Sequence, residues 1–406
     1  MKLSALIIAL LPFVSLGQPD VSYLIIARNA GDKIVANGDT IRVMGFAQTL
    51  GANPKIPGPT LVMNEGDSVY IDLWNVSQGA PHTIHLHGLD VNQANDGVSH
   101  LSFDVGHMEH GYYKFKAPHA GTYLYHCHVG SIVHIQGGMY GQIIVRPTDG
   151  SNSTWDGGYD YDVTMAMMFS EIDTTWHNDT IINHDHDSTS LIHYVTVRDY
   201  NPQYFLVNGM SDHQITDSNF QLTTSVGALN YLRLTNIGYR WNKVIFPASF
   251  GCTIIDSDGR PLPITELSDT VVVYPGERYG VLGTFLSELT DVIKVEYYDM
   301  FTGELGNTQL VPVVVDGYVD REKFENEDDE LSLFPNPTCD ELFVSYRGEG
   351  PEANPCRIIN SMGETIHRFT VDGTNAVDVR NLSSGIYLVE VSYGNGNRSV
   401  KTFVKW

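Results

Sequence analysis

Short apolar runs rich in β-branched and aromatic residues recur along most of the chain. Turn residues (Gly, Pro, Asn and Asp) end each run after a few positions, and the 38 glycines and 22 tyrosines fit this alternation. Runs of this kind are typical of strands, whereas helices need longer stretches with a period near 3.6 residues. The pattern therefore predicts an all-β protein with almost no long helix.

The predicted strands fall into three units. Residues 21–147 form the first unit and close with the apolar strand GQIIV at 141–145. Residues 161–316 form the second unit, and residues 331–406 form a third, smaller one. The length of 406 residues, 42% of them hydrophobic, suffices for two full domains and a small one. We expect three β-sandwiches in tandem.

Two polar stretches separate these units. Residues 148–160 (TDGSNSTWDGGYD) are rich in residues that bury little surface and favour turns, so they predict a linker. Residues 317–330 contain the charge run DREKFENEDDE and predict a flexible acidic tether.

The amino terminus, residues 1–17, has the features of a secretory signal peptide. Met1 and Lys2 precede an apolar run at 3–16, and the small residue Gly17 follows it. The run is shorter than the roughly 20 residues that a membrane span needs, and no later stretch reaches that length. These features predict a soluble, exported protein.

Net charge and cysteine content limit the possible partners and the possible roles of the cysteines. A formal net charge of -24 argues against nucleic acid as a partner, because phosphate backbones repel acidic surfaces. Of the four cysteines, Cys127 lies between histidines and Cys252 stands alone in a predicted apolar strand. Cys339 and Cys356 could form a disulfide outside the cytoplasm.

Two segments of the first unit hold most of the coordinating side chains. They are residues 81–88 (PHTIHLHG) and residues 125–139, which begin with YHCH. If both are strands, side chains alternate between the two faces. Cys127 and His82 then fall into one set. The other set contains four histidines: His85, His87, His126 and His128.

The set with the thiolate predicts a blue copper site. His134 and Met139, from the predicted loop after the cysteine strand, join His82 and Cys127. One thiolate, two imidazoles and a weak thioether are the ligands of type 1 copper, and they suit cycling between Cu(II) and Cu(I).

The four remaining imidazoles predict a second copper site with positions open for a small molecule. Since Cys127 lies between His126 and His128 in the chain, electrons can pass between the sites through the backbone. Zinc is the alternative metal, but structural zinc rarely uses one Cys with surplus His and a trailing Met. We expect the catalytic residues to be His85, His87, His126, Cys127 and His128.

At these residues the chain resembles the multicopper oxidases. The segments that carry the resemblance are IPGPTL at 56–61, NEGD at 64–67, HLHG at 85–88 and GTYLYHCH at 121–128. The resemblance implies tandem cupredoxin-like β-sandwiches with Greek-key connections. It also implies a type 1 copper held by His82, Cys127, His134 and Met139. The role in a type 2/type 3 copper cluster falls to His85, His87, His126 and His128.

The second unit is similar to the copper-free middle domain of three-domain oxidases, which is structural. Family-like segments are YFLVNG at 204–209, LRLTN at 232–236, DSDG at 256–259 and YPGER at 274–278. The first histidine motif is replaced by WNKVIF at 241–246, and no H-x-H or His-Cys-His follows. A trinuclear cluster normally draws eight histidines from two copper-bearing domains, so half of the set is missing.

Three sources could complete the second site. The first domain of another subunit would make the enzyme a homo-oligomer, for which a trimer is our first choice. A histidine-rich stretch of this chain could contribute instead, although it is typical of an exposed loop: His177, His184, His186 and His193. The third option is a reduced type 2 site, as in the copper nitrite reductases, where Asp takes the place of His85 and a second-domain His completes the site.

The last unit resembles the C-terminal sorting domain of the type IX secretion system. The matching segments are LFPNPT at 333–338, NSMGE at 360–364, LSSGIYL at 382–388 and the basic finish at 401–405. The resemblance implies a small β-sandwich, a route through the periplasm to the cell surface or medium, and the secretion machinery as a partner.

The sequence therefore predicts a secreted, multicopper oxidase-like enzyme that takes electrons from a small-molecule reductant at the type 1 copper and reduces oxygen at the second site. Two alternatives stay open: a copper nitrite reductase-like enzyme, and a non-catalytic blue copper protein for electron transfer or copper binding. An electron carrier needs one copper per chain, so copper stoichiometry separates it from the enzymes.

Overall fold

The computed structural model describes residues 20–182, 200–218, 220–318, 331–334, 338, 341–346, 354–360, 365–383, 385–393 and 397–405. The predicted signal peptide, Cys339 and most of the acidic tether lie outside the described residues. The proposed Cys339 to Cys356 pairing therefore stays a prediction.

The first domain is a sandwich of two four-stranded sheets. Their orders are β2-β1-β4-β6 and β3-β8-β7-β5. Its strands are β1 Val21–Ile34, β2 Thr40–Ala47, β3 Leu61–Asn64, β4 Ser68–Asn75, β5 His85–His87, β6 His110–Lys116, β7 Gly121–His126 and β8 Tyr140–Arg146. Residues alternate between buried and half-exposed along β4, as expected for a sheet with one face in the core. Ile71, Tyr113 and Leu86 join that core between the sheets.

The second domain repeats the sandwich with larger sheets. Their orders are β10-β9-β12-β17-β14-β15 and β11-β19-β18-β13-β16. The strands of the first sheet are β9 Val163–Ile172, β10 Tyr204–Val207, β12 Asn230–Asn236, β14 Thr253–Ser257, β15 Arg260–Leu267 and β17 Arg278–Gly283. Those of the second are β11 Leu222–Val226, β13 Trp241–Ile245, β16 Thr270–Val273, β18 Leu289–Tyr298 and β19 Leu305–Tyr318.

The third domain is a small sandwich with its own apolar core. Its sheets have the orders β20-β21-β24 and β23-β22-β25-β26. The strands are β20 Leu331–Phe334, β21 Glu341–Tyr346, β22 Asn354–Ile359, β23 Thr365–Val371, β24 Gly373–Asp378, β25 Gly385–Tyr393 and β26 Asn397–Lys405. Leu342, Val389 and Phe403 are fully buried in that core.

Helices are short throughout the described part of the chain. The α-helices are α1 Ser131–Gly137, α2 Asp179–Ile182 and α3 His213–Asp217. Single 3-10 turns occur at Gln93–Asn95, Thr174–His177 and Ala248–Phe250. None of these helices is long and apolar enough to cross a membrane. The all-β prediction is confirmed.

The stretch at 148–160 connects the first two domains but is more ordered than the linker that its composition predicts. Asp156 accepts hydrogen bonds from the backbone and side chain of Thr148 at 2.9 and 2.8 Å. Trp155 packs against the second-domain cluster around Tyr161 and Tyr231. The turn residues thus fold the connection onto the second domain.

Buried hydrogen bonds join the first and second domains. Arg233 on β12 donates from Nη1 to Thr122 Oγ1 on β7 at 3.0 Å. Gln142 on β8 donates from Nε2 to Thr235 Oγ1 at 2.9 Å. Because all four side chains are buried, misalignment would leave polar groups without partners, which is costly. The second domain is thereby held beside β7, the strand that leads into the cysteine.

Candidate metal centre

The short strand β5 brings the HLH segment beside the end of β7. The two strands pair antiparallel, with His85 opposite His126 and His87 opposite Leu124. Leu86 is fully buried in the core, whereas His85 and His87 are half-buried on the other face. Pairing of this kind places side chains of opposite residues within contact distance. It gathers the histidines of both segments on one face.

The strands are shorter than the alternation argument assumed. His82 forms an isolated bridge with Val105 rather than a part of β5, and Cys127 follows the last residue of β7. His82 N and O each pair with the backbone of Val105 at 3.0 Å. The division into two groups is nevertheless the one that alternation predicts, since Cys127 turns towards His82 and the other histidines lie together.

The first group is built around the Cys127 thiol. Its Sγ atom lies 3.1 Å from His134 Nδ1 and 3.6 Å from His82 Nδ1. One donor atom from each residue lies within 4.8 Å of the other two. A thiol and two imidazole nitrogens converging on one point match the soft donor set of type 1 copper.

A helix, not the predicted loop, presents His134. Helix α1 is flanked by Gly130 and Gly138, both in the left-handed region (φ 53° and 115°). Glycine adopts such angles without a steric cost, which allows a chain to enter and leave a helix of only seven residues.

Backbone hydrogen bonds hold the fourth candidate ligand, Met139, beside the group. Met139 N donates to His134 O at 2.9 Å, and Cys127 N donates to Met139 O at 3.0 Å. Met139 is fully buried. The three residues are thus tied together before any metal binds.

The thiol of Cys127 is protonated in the metal-free protein. Burial raises the pKa of Cys127 to about 11, although hydrogen bonds from Thr83 oppose the rise. A metal that binds the thiolate must therefore displace a proton, so its affinity depends on pH.

The second group consists of imidazoles that face one another. One ring nitrogen from each of His85, His87 and His126 lies within 4.8 Å of the other two, and His87 Nδ1 is 3.2 Å from His126 Nε2. The His128 ring is beside them, with its centroid 5.2 Å from that of His85 and 5.8 Å from that of His126. The structure thus brings all four predicted histidines together, with His128 outside the tightest three.

Two of these rings are oriented by backbone carbonyl groups. His85 Nδ1 is 2.7 Å from the carbonyl oxygen of Asp96, and His126 Nδ1 is 3.0 Å from that of Cys127. Such bonds fix the tautomer and turn the Nε2 lone pair away from the carbonyl, as in histidine metal ligands.

The imidazoles of His85, His87 and His126 are neutral at neutral pH. Burial, with the charges of Arg278 and neighbouring histidines, lowers the pKa of His87 to about 4. Burial likewise lowers the pKa of His126 to about 3, and it lowers the pKa of His85. Neutral imidazole is the form that binds metals, so the group is ready to accept a cation.

Arg278 of the second domain reaches this group, which sequence reasoning did not foresee. A Cβ atom added to Gly88 would lie 2.2 Å from Arg278 Nη2. Arg278 Nη1 donates to Gly276 O at 2.7 Å and pairs with Asp258 at 3.0 Å. A Cβ on Gly276 would lie 3.6 Å from His87 Nε2. Gly88, after HLH, and Gly276, within YPGER, are the residues whose lack of a side chain could have indicated this close approach in the sequence.

Other histidines do not join the two groups in the part of the chain that the structure describes. His177 is buried in the 3-10 turn Thr174–His177, and its Nδ1 lies 2.6 Å from Arg42 O. His184, His186 and His193 lie outside the described residues. In the second domain, strand β13 replaces the histidine motif, and Trp241 stacks on Tyr298 with centroids 4.1 Å apart.

Two family models match the chain. The multicopper oxidase model matches residues 35–150, and the model of the secretion system C-terminal sorting domain matches residues 332–405. The two matches cover the segments of the first and third units from which resemblances were drawn, whereas the second-unit segments between residues 204 and 278 lie outside both matches.

Curated relatives include oxidases and reductases. The chain is 25% identical over 287 residues to an L-ascorbate oxidase of Cucurbita pepo var. melopepo, covering 65% of this chain and 47% of the relative. It is 32% identical over 143 residues to a copper-containing nitrite reductase of Alcaligenes xylosoxydans xylosoxydans, covering 34% and 41%. The chain thus spans less than half the length of these relatives.

Among solved structures, a blue copper oxidase from Nitrosomonas europaea superposes with a TM-score of 0.57 at 22% identity, covering 73% of this chain and 86% of that one. At this identity the likeness concerns the fold alone, and it confirms the cupredoxin-like prediction.

Proposed function

Because the chain carries a multicopper oxidase domain followed by a C-terminal sorting domain, we propose that it is an exported copper oxidoreductase. It oxidises a small-molecule reductant at the first group, here called the thiolate group (His82, Cys127, His134 and Met139). It reduces oxygen at the second group, here called the imidazole group (His85, His87, His126 and His128). The ascorbate oxidase among its relatives supports this class of activity.

The observation that carries the proposal is the connection between the two groups. Cys127 belongs to one group, while its chain neighbours His126 and His128 belong to the other. The thiol side is enclosed by His82 and His134, and the imidazole side is built on the β5 to β7 pairing. The peptide bonds on either side of Cys127 therefore provide a covalent path between a site for single electrons and a site for a small oxidant.

Each group suits one half of the reaction. When bound, copper supplies one-electron redox chemistry at the thiolate group and open coordination positions at the imidazole group. Cys127, His82, His134 and Met139 exclude water and hold the donors in place through the backbone bonds described above. Carbonyl groups orient His85 and His126, and the low pKa values of His87 and His126 keep their rings free of protons that would compete with the metal.

The test combines three measurements on the copper-loaded protein. Intense blue absorption with more than one copper per chain and consumption of oxygen with a phenolic or metal-ion reductant would support the proposal. One copper per chain and no turnover would make the protein an electron carrier and contradict it.

The nitrite reductase among the relatives supports nitrite reduction as a second candidate. His85 occupies the position where those enzymes carry Asp, which favours oxygen. Assays of both acceptors with one reductant separate the candidates, because nitrite consumption without oxygen consumption would reverse the assignment.

We also propose that the imidazole group is completed by another subunit in a homo-oligomer, with a trimer as the first choice. The first domain supplies four imidazoles, and the described part of the second domain adds no further metal-ligating group. Shared ligands tie assembly to copper by mass action. Copper removal should shift the mass measured by light scattering towards the monomer; a copper-loaded monomer with full oxygen turnover would contradict the idea.

Export is proposed to begin with the signal peptide at 1–17 and to use the type IX machinery through the sorting domain. Deletion of residues 331–406 in the producing cell should retain the copper protein inside the outer membrane. Normal release of the shortened chain would contradict this route.

A further inference from the structure

The side chains of the thiolate group have no access to solvent. The exposed fraction is 1% for His82 and 0% for Cys127, His134 and Met139. A reductant at the surface cannot touch any of them, so each electron must cross a layer of protein. Over His134 that layer consists of helix α1 and of side chains from the second domain that pack against it.

Three aromatic side chains form a cluster in this layer. The Tyr200 ring lies 5.5 Å from Trp176 and 5.3 Å from Tyr239, and the latter two are 6.3 Å apart between centroids. Exposure increases outwards: Trp176 is 3% exposed, Tyr200 is 8% exposed and Tyr239 is partly exposed. Tyr239 is thus the member that reaches the surface.

Two hydrogen bonds connect the cluster to the helix on either side of His134. Tyr239 Oη donates to the carbonyl oxygen of Ile132. The Gln136 side chain donates from Nε2 to Tyr200 Oη at 2.9 Å. Since Ile132 and Gln136 are each two residues from His134, both contacts lead to this imidazole through a short stretch of bonded atoms.

A buried carboxyl group lies beside Tyr200. Tyr200 Oη donates to Glu171 Oε2 at 3.3 Å, and the backbone N–H groups of Tyr239 and Arg240 donate to the same carboxylate at 2.9 and 3.1 Å. Arg240 in turn pairs with Asp299. Burial raises the pKa of Glu171 to about 7, so the carboxylate that could take a proton from Tyr200 is populated at neutral pH.

We propose that Tyr239 and Tyr200 form an electron-entry relay to the type 1 site, with Glu171 as the proton acceptor of Tyr200 and Trp176 as a positioning residue that holds the two rings in contact. The proposal rests on the proposed function. Tyr200 gives one electron to Cu(II), which becomes Cu(I), and its hydroxyl proton moves to the Glu171 carboxylate, leaving a neutral phenoxyl. An electron from a one-electron reductant at the surface then crosses Tyr239 and reduces this phenoxyl. Glu171 returns the proton to the Tyr200 oxygen.

The net change is one electron from the reductant to the copper, with no proton lost. The relay therefore predicts that proton movement limits electron entry, although neither the copper nor the reductant exchanges a proton. A dependence of electron entry on proton movement would distinguish the relay from aromatic side chains that only pack together.

The experiment measures bleaching of the blue band in the copper-loaded, full-length protein under anaerobic stopped flow, with hexaammineruthenium(II) as the one-electron reductant. Tyr200→Phe keeps the ring and removes the hydroxyl, so reduction should slow by about tenfold or more and lose its solvent deuterium isotope effect. Tyr239→Phe should slow reduction as well. Tyr70→Phe is the matched control, because Tyr70 stacks on Tyr112 on the outer face of the first domain.

A second readout does not depend on reduction of copper. After photochemical oxidation and rapid freezing, electron paramagnetic resonance should detect a phenoxyl radical that is weaker in Tyr200→Phe than in Tyr70→Phe. If both relay variants keep the blue band, the wild-type rate and the isotope effect, the relay is wrong. If Tyr200→Phe does not fold, Tyr239→Phe decides. Lack of a blue band in the unmodified protein would instead contradict the proposed function.

Discussion

The first and second domains share a sandwich fold but differ in the partners of their buried polar side chains. The second domain pairs groups of opposite character: Tyr231 donates to Asp256 at 2.7 Å, and the Arg233 guanidinium lies 4.2 Å from the Tyr231 ring. The first domain gathers imidazoles that face one another, such as His87 and His126, whose ring nitrogens lie 3.2 Å apart. A cluster of neutral electron-pair donors is completed by a cation. The comparison teaches that metal chemistry depends on side chains placed on the fold rather than on the fold itself.

The largest difference between the two domains should disappear when the Cys127 thiolate is removed. Cys127→Ser should abolish the blue band, because the absorption requires charge transfer from the thiolate to Cu(II). Visible spectroscopy of the copper-loaded variant measures it. The matched control is Cys252→Ser, since Cys252 is also buried but belongs to the second-domain core. An unchanged spectrum in Cys127→Ser would remove the type 1 assignment.

Loss of an imidazole in the second group should have the next largest effect. His87→Gln should lower the copper content and reduce oxygen consumption by at least about tenfold, since even the loss of an outer partner of a ligand costs about 10 to 100-fold. The blue band should persist. His110→Gln serves as the control, because His110 is exposed and bonds Asp72 at 2.7 Å. Metal analysis that finds full copper in His87→Gln would contradict the ligand role.

Loss of the buried Arg278 guanidinium, which approaches the first domain at Gly88, should have a smaller effect, on stability. Arg278→Gln removes a buried guanidinium from the Gly276 and Asp258 oxygens, so the free energy of unfolding should fall by about 1 to 3 kcal/mol. Urea denaturation measures this change. The control is Arg380→Gln, which breaks an exposed pair with Asp378 and should leave the free energy of unfolding almost unchanged. Equal effects would show that Arg278 contributes no more than a surface charge.

The pH dependence of the metal-free protein should have opposite signs for the two kinds of buried group. The pKa of Glu171 is raised to about 7, so its stabilising contribution is complete at low pH and is lost as pH rises from the unfolded pKa towards 7. The pKa of His87 is lowered to about 4, so its contribution is lost as pH falls from the unfolded value towards 4. Thermal unfolding at several pH values measures both effects. In Glu171→Gln, stability should fall less than in the wild type as pH rises. In His87→Gln, stability should fall less than in the wild type as pH falls. The reverse assignment would contradict the burial argument.

The smallest expected effect concerns the third domain. Its core is separate, around Leu342, Val389 and Phe403, and few contacts are expected to cross the acidic tether. A chain that ends before Leu331 should therefore bind the same amount of copper and show the same blue band. Metal analysis and absorption spectra check this. Loss of copper would make the third domain part of the catalytic body.

Much of the architecture could be predicted from the sequence, because alternation of apolar residues and turn residues acts locally. The Gly141 to Val145 strand was identified in this way and lies within β8. The two groups of metal-ligating residues were separable for the same reason, since neighbouring residues such as His126 and Cys127 point in opposite directions. The replacement of the histidine motif in the second domain was visible at Trp241, where that motif would begin.

Contacts between residues far apart in the chain could not be predicted from local sequence patterns. The approach of Arg278 to Gly88 depends on how two domains dock, and no local pattern encodes that geometry. The helix that carries His134 leaves no periodic signal in the sequence, because a helix of one to two turns has too few residues to show a period and depends on glycines at both ends. The ordering of residues 148–160 likewise comes from tertiary packing of Trp155.

The complete burial of His82, Cys127, His134 and Met139 has a consequence for how the protein acquires its metal. Within the described part of the chain, these donors have almost no contact with solvent, so copper must enter through local opening of α1 or before the fold closes. Exchange of the metal should accordingly be limited by the rate of that opening rather than by affinity. A chelator should then remove metal from the imidazole group, where His85 and His87 are half-buried, long before it removes metal from the group around Cys127. A chain that folds without copper should bind copper at Cys127 only slowly for as long as α1 stays closed.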